Sequence, residues 1–128
     1  MNNNNYKIAV IPGDGIGNEV MPVAIRVLDK IAGRHNLAFQ YDEKDWSCER
    51  FHKEGAMMPE NGLDEIRGHN AILLGAVGFP GVPDHISLWG LLIPIRRQFQ
   101  QYVNLRPVRL FEDMKCPLAG RGPGDIDF

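Results

Sequence analysis

The stretch Tyr6-Lys7-Ile8-Ala9-Val10-Ile11-Pro12-Gly13-Asp14-Gly15-Ile16-Gly17 constrains the fold more than any other part of the chain. A short β-favourable apolar run, stopped by a proline and three closely spaced glycines, reads as a buried strand entering a tight loop. Beyond it Val20, Val23, Ala24, Val27, Leu28 and Ile31 recur at three- and four-residue spacing. That periodicity predicts a helix with those residues against a sheet. Asn18 is its expected N-cap and Gly33 its expected end.

The pattern continues downstream. Residues 37–41 read as a second strand, and a short helical piece is expected near residues 49–53 within an irregular connection running to residue 61. A short helix over 59–67 leads to Ala71-Ile72-Leu73-Leu74, an uninterrupted apolar run typical of a parallel strand. A loop carrying Gly78, Pro80, Gly81 and Pro83 precedes a helical segment over 87–101, which Pro94 should start, bend or break. Residues 102–110 look extended, and 115–127 are rich in Gly and Pro. Alternating strand and helix predicts an α/β fold, with a largely parallel sheet and flanking helices. The asparagines at positions 2–5 mark residues 1–5 as an expected disordered tail, leaving residues 6–128 as one domain.

Composition narrows the function classes. With 128 residues, 44% hydrophobic and 23% charged, the chain can bury one core. A net charge of −2 gives no basic field to draw it to nucleic acid or anionic lipid, so neither is an expected partner. No segment approaches the ~20 apolar residues a bilayer requires, and no targeting signal is evident, so a cytoplasmic location is expected. Cys48 and Cys116 lie far apart without Cys/His clustering, which favours two reduced thiols over a zinc site or disulfide.

The glycine loop invites a dinucleotide-binding reading, in which backbone amides meet a pyrophosphate at a helix N-terminus. The spacing is G-x-G-x-G rather than G-x-G-x-x-G, and acids such as Asp42 and Glu43 near a strand end are common, so turn-shaping glycines are the better reading. A more specific signal is Leu91-Leu92-Ile93-Pro94-Ile95-Arg96-Arg97 followed by Asn104-Leu105-Arg106-Pro107-Val108-Arg109. Arginine presents a planar, always-charged fork of donors, so two converging arginines suit a dicarboxylate. The bland alternative is that these arginines are solvated surface residues. Asp84-His85 could in principle form an acid/base or metal pair, but adjacent residues beside a proline are more often turn formers.

Three strings, Ile8-Ala9-Val10-Ile11-Pro12-Gly13-Asp14-Gly15-Ile16-Gly17, Leu74-Gly75-Ala76-Val77-Gly78 and Asn104-Leu105-Arg106-Pro107, resemble the isopropylmalate and isocitrate dehydrogenase superfamily, in its order. Val82 to Gly90, Pro117-Leu118-Ala119-Gly120 and Pro123 to Phe128 resemble its tartrate and D-malate dehydrogenase branch. Asn18 departs from the proline common there, and as a good capping residue it implies no loss of function. The resemblance implies an isopropylmalate-dehydrogenase-like fold, incomplete here, because the family's chains run much further. It implies NAD-dependent oxidation and decarboxylation of a 2-hydroxy dicarboxylic acid with Mg2+ or Mn2+. It places substrate binding on Arg96, Arg106 and Ser87, and cofactor binding on Gly75, Ala76, Val77, Gly78 and Trp89. The family's metal-ligating aspartates, lysine and tyrosine acid/base pair, adenine loop and a third substrate arginine belong to later segments, so no catalytic residue and no metal ligand is assigned here. The implied whole enzyme is a homodimer, and this stretch alone is expected to be inactive. The alternative is a non-catalytic truncated product or interaction module.

Overall fold

The computed structural model describes residues 4–128. Its centre is a parallel three-stranded sheet in the order β2-β1-β3, built from β1 (Asn5–Gly13), β2 (Ala38–Glu43) and β3 (Ala71–Ala76). Between β1 and β2 runs α1 (Ile16–His35). α2 (Cys48–Glu54) and α3 (Gly62–Ile66) separate β2 from β3. After β3 come α4 (Asp84–Ser87), a π-helical turn (Leu88–Leu92) and α5 (Ile93–Gln98). Of the expected 1–5 tail, residues 1–3 lie outside the described residues. β1 already opens at Asn5, and Asn4 accepts from the Ala38 amide at 2.8 Å.

β1 is the strand around which both cores form, because its side chains alternate between two faces. Ala9 and Ile11 face one cluster with the buried Trp46, Met57, Ile66 and Leu91. Ile8 and Val10 face the other, against Met21 and Ile25 of α1. Parallel register pairs Ile8 with Tyr41 on one side and with Ala71 on the other, and brings Gly13 beside Ala76.

The helix expected from residue spacing is present, but its buried face and both ends differ from the expectation. Val20, Val23, Val27 and Ile31 are exposed, whereas Gly17, Met21 and Ala32 are buried and Ala24, Ile25 and Leu28 half-buried. α1 is apolar on two sides, so periodicity alone cannot choose which side meets the sheet. Its N-cap is Gly15, with Asn18 already inside the first turn. It runs past Gly33 and closes at Asn36, which takes the left-handed conformation (φ 51°) that asparagine tolerates better than most residues.

Pro94 explains the change of helix type. An α-helical turn would press its ring against the carbonyl of Gly90, four residues earlier. The chain instead widens: the Ile93 amide reaches back to the Leu88 carbonyl, and Pro94 falls in the first turn of α5. Gly90 permits this, since a Cβ there would come within 2.7 Å of Met57 Cγ.

Beyond α5 the chain is extended and largely exposed. Val108 and Phe128 exchange backbone hydrogen bonds at 2.8 and 3.1 Å, and Arg109 bridges Asp127 in antiparallel fashion. Tyr102, Val103, Leu105 and Phe111 are all exposed there. Among the described residues, no helix is long and apolar enough to cross a membrane.

Candidate functional site

Ligands of open α/β sheets collect outside the carboxyl ends of the strands. Here that edge is formed by Gly13–Gly17 after β1 and Gly75–Gly78 at the end of β3. The two loops are locked together. A Cβ at Gly13 would overlap the Ala76 carbonyl, and one at Gly17 or Gly75 would overlap the Pro12 carbonyl. Gly13 and Gly17 therefore serve the close approach of β1 and β3, while Gly15 takes a positive φ of 48° with open space where its Cβ would be. The acid a dinucleotide site would need is also engaged. Asp42 lies within β2 and takes His69 Nε2 at 3.0 Å, Lys44 at 3.3 Å and Lys7 at 3.7 Å. Partial burial raises its carboxyl pKa, but Lys44, His69 and Lys7 together outweigh that and hold it below its ordinary value.

Asp14 was not singled out by the sequence, yet it organises this edge. It is buried (4% exposed). Its Oδ2 accepts from the amides of Cys48 (3.0 Å) and Gly78 (3.1 Å), its Oδ1 from Glu49 (3.2 Å), and its own amide donates to the Ala76 carbonyl at 2.6 Å. An acid confined between glycines at a strand end, with no basic residue nearby in sequence, was the available signal. A carboxylate buried without a counter-ion has to be met by amides.

The Cys48 thiol beside it is fully buried. Burial first, then the hydrogen bond and charge of Asp14, raise its pKa to about 11 from the ordinary 9.0, against a downward pull from the amides of Gly78 and Phe79. Iodoacetamide at neutral pH is therefore expected to modify Cys116 in the folded chain and leave Cys48 intact, with both modified in guanidinium, as mass spectrometry of the labelled chain can show. The folded state keeps a proton that the unfolded state loses, so this thiol's contribution to stability is constant below pH 9 and declines between 9 and about 11.

The residues named from the sequence occupy two settings. Gly75, Ala76 and Val77 are half-buried in β3 and the turn after it. Gly78 is exposed, at φ +153°. Trp89 is 60% exposed and, with His85, Met57 and Met58, lines an open apolar pocket of about 580 Å³. Ser87 is buried, its hydroxyl donating to the Asp84 carbonyl at 3.1 Å, so it points into the fold rather than to the surface. Arg96, in the last turn of α5, is exposed and lines a cavity of about 190 Å³ with Ile72, Leu74 and Gln101 beside the free edge of β3. Arg106 is exposed on the extended segment that follows. Neither guanidinium has an ion-pair partner among the described residues. Asp84 and His85 open the short α4. Among the described residues, no group of three or more His, Cys, Asp or Glu side chains could hold a metal ion.

Comparison with known proteins places this architecture. Residues 7–128 match the family model of isocitrate/isopropylmalate dehydrogenase. The chain is 56% identical to D-malate dehydrogenase [decarboxylating] of Escherichia coli K12 over 95% of its own length and 34% of that protein's. It is 53% identical to tartrate dehydrogenase/decarboxylase of Pseudomonas putida over 96% of its length and 34% of the relative's. It therefore spans about a third of the length of the curated relatives it matches. Among solved structures, a β-decarboxylating dehydrogenase of Thermococcus kodakarensis in its apo form superposes with a TM-score of 0.62 at 38% identity, over 81% of this chain and 30% of that one. A parallel sheet of this order, flanked by these helices, and a match across 7–128 lead to one assignment: the chain belongs to the isocitrate/isopropylmalate dehydrogenase family, a family of enzymes.

Proposed function

We propose that this chain is the substrate-anchoring and partial cofactor-contacting portion of an NAD-dependent decarboxylating dehydrogenase for a small 2-hydroxy dicarboxylate, D-malate or tartrate. The observation that carries the reading is the pair of exposed guanidiniums without carboxylate partners, Arg96 and Arg106, at the positions of the L-R and N-L-R-P motifs. Lack of a partner does not by itself single them out, since Arg26, Arg34, Arg97 and Arg121 are likewise exposed and in no ion pair among the described residues; their place in the two motifs does. Exposed, unpaired arginines are available to an anion, and two of them match the two carboxylates of the substrate.

In this reading Arg96 and Arg106 grip the carboxylates and orient the substrate. Gly78, in the loop after β3, and Trp89, in the π-helical turn, would meet the nicotinamide side of the cofactor, while Gly75, Ala76 and Val77 set the path of that loop. NAD, when bound, accepts the hydride from the hydroxyl-bearing carbon. Among the described residues, the side chains do not form a metal cage. Mg2+ or Mn2+ would be ligated by residues from outside these 128. Ser87 contacts substrate only if α4 opens, since its hydroxyl is now internal.

The test joins residues 1–128 to the remaining two thirds of the E. coli relative and follows NADH formation with D-malate and with tartrate in the presence of manganese. Activity in the joined protein with either acid, and none in the 128-residue chain, supports the reading. A folded joined protein that reduces NAD with neither acid overturns it.

A further inference from the structure

Asp14 lies outside the reaction just described, yet it is the best-connected buried side chain at this edge of the sheet. Four long-range hydrogen bonds tie it to two other parts of the chain: two to the end of β3 and the turn after it, and two to the first turn of α2. The two to the turn are reciprocal. The Asp14 amide donates to Ala76, and its carboxylate receives the amide of Gly78, so Ala76-Val77-Gly78 is clamped at both ends. Gly78 is also where the chain leaves the protein interior: Val77 is half-buried, whereas Gly78, Phe79 and Pro80 are exposed. Its φ of +153° is open to glycine and strained for other residues, so the chain turns sharply there, and the Asp14 carboxylate holds the amide at that turn.

We propose that Asp14 is a positioning residue for the cofactor-contacting loop: through the Gly78 amide it fixes where residues 78–83 leave the sheet, and through the Cys48 and Glu49 amides it ties that loop to α2. This deepens the reading above and rests on it, since the loop is taken to meet NAD. Three N–H groups share two carboxylate oxygens. An asparagine supplies one oxygen and places an NH2 against at least one of the three amides, and an alanine leaves all three without a partner.

The test has two readouts. In the 128-residue chain, amide hydrogen exchange of Gly78 is followed by NMR for Asp14→Ala, Asp14→Asn and Ser47→Ala. Ser47→Ala removes the cap that accepts the Arg50 amide at 3.0 Å, and so disturbs α2 without touching Gly78. In the chain joined to the rest of the E. coli relative, kcat and KM for NAD are measured for the same variants. Asp14→Ala is expected to release Gly78 exchange and raise KM for NAD about tenfold, with kcat at saturating NAD changed less than about threefold. Asp14→Asn is expected to do the same more weakly, and it decides the matter should the alanine variant not fold. Ser47→Ala is expected to lower the Tm and leave Gly78 exchange and KM unchanged.

Unchanged Gly78 exchange in both Asp14 variants overturns the clamp, and so does an equal effect from Ser47→Ala. A freed Gly78 with KM for NAD unchanged overturns the positioning role. The cofactor reading is judged separately, by NAD-induced shifts of the Gly78 and Trp89 signals in the unsubstituted joined protein. Their absence removes that reading and the positioning role with it, while the exchange data still decide whether the clamp exists.

Discussion

Gly17→Ala is expected to destabilise the chain by about 2–4 kcal/mol, a large share of the roughly 5–15 kcal/mol that holds an ordinary domain folded. Helix propensity predicts the opposite sign, because replacing a helical glycine by alanine ordinarily gains about 1 kcal/mol. Geometry decides between them. A Cβ at Gly17 would overlap the Pro12 carbonyl and come within 2.8 Å of the Ala76 amide nitrogen. Both atoms are backbone, anchored in strands on either side, and cannot swing away as a side-chain tip could. Gly33 lies in the same helix with nothing within 4 Å of its would-be Cβ. There the propensity term acts alone, and Gly33→Ala should stabilise by about 0.5–1 kcal/mol. Urea unfolding of both variants checks the pair; a Gly17→Ala chain as stable as the parent would contradict the packing of α1 against the β1 and β3 ends.

The second large effect is on activity. In the joined protein, Arg96→Ala and Arg106→Ala should each lower kcat/KM for D-malate or tartrate by on the order of 10²–10³-fold, the loss expected when a substrate carboxylate has no charged partner in the site. Arg→Lys should recover only part of it, because an ammonium cannot make the bidentate contact. Both arginines are exposed and unpaired among the described residues, so the same substitutions should leave stability within about 0.5 kcal/mol. Arg109 is a useful contrast. It sits 3.7 Å from Asp127 in an exposed pair, and its removal should change neither quantity appreciably. A parallel loss of stability and activity at Arg96 or Arg106 would argue for a structural role.

The strands and α1 were legible because their signals are local: an apolar run ended by proline and glycine, then a helical period. What was not legible depends on partners distant in sequence. The face of α1 could not be chosen, since Val20, Val23, Val27 and Ile31 are as apolar as the residues that meet the sheet. The end of α1 at Asn36 instead of Gly33 reflects a left-handed residue that asparagine can supply as well as glycine. Pro94 announced a disturbance, but its resolution as a π turn depended on Gly90 lying against Met57. At the candidate site the arginine motifs were readable as donors. Asp14 was not readable as a hub, because its three amide partners lie 34, 35 and 64 residues away. Ser87 is the reverse case: its place in a motif implies contact with substrate, and the fold holds its hydroxyl internal at the end of α4, which the motif does not show.

The most direct test of the central claim is NADH formation at 340 nm by residues 1–128 joined to the rest of the E. coli relative, beside residues 1–128 alone, with D-malate or tartrate, NAD and manganese. The account predicts turnover by the joined protein, abolished by Arg96→Ala with Arg106→Ala, and none by the shorter chain. Turnover by the 128-residue chain alone, or by the joined protein without those two arginines, would contradict it.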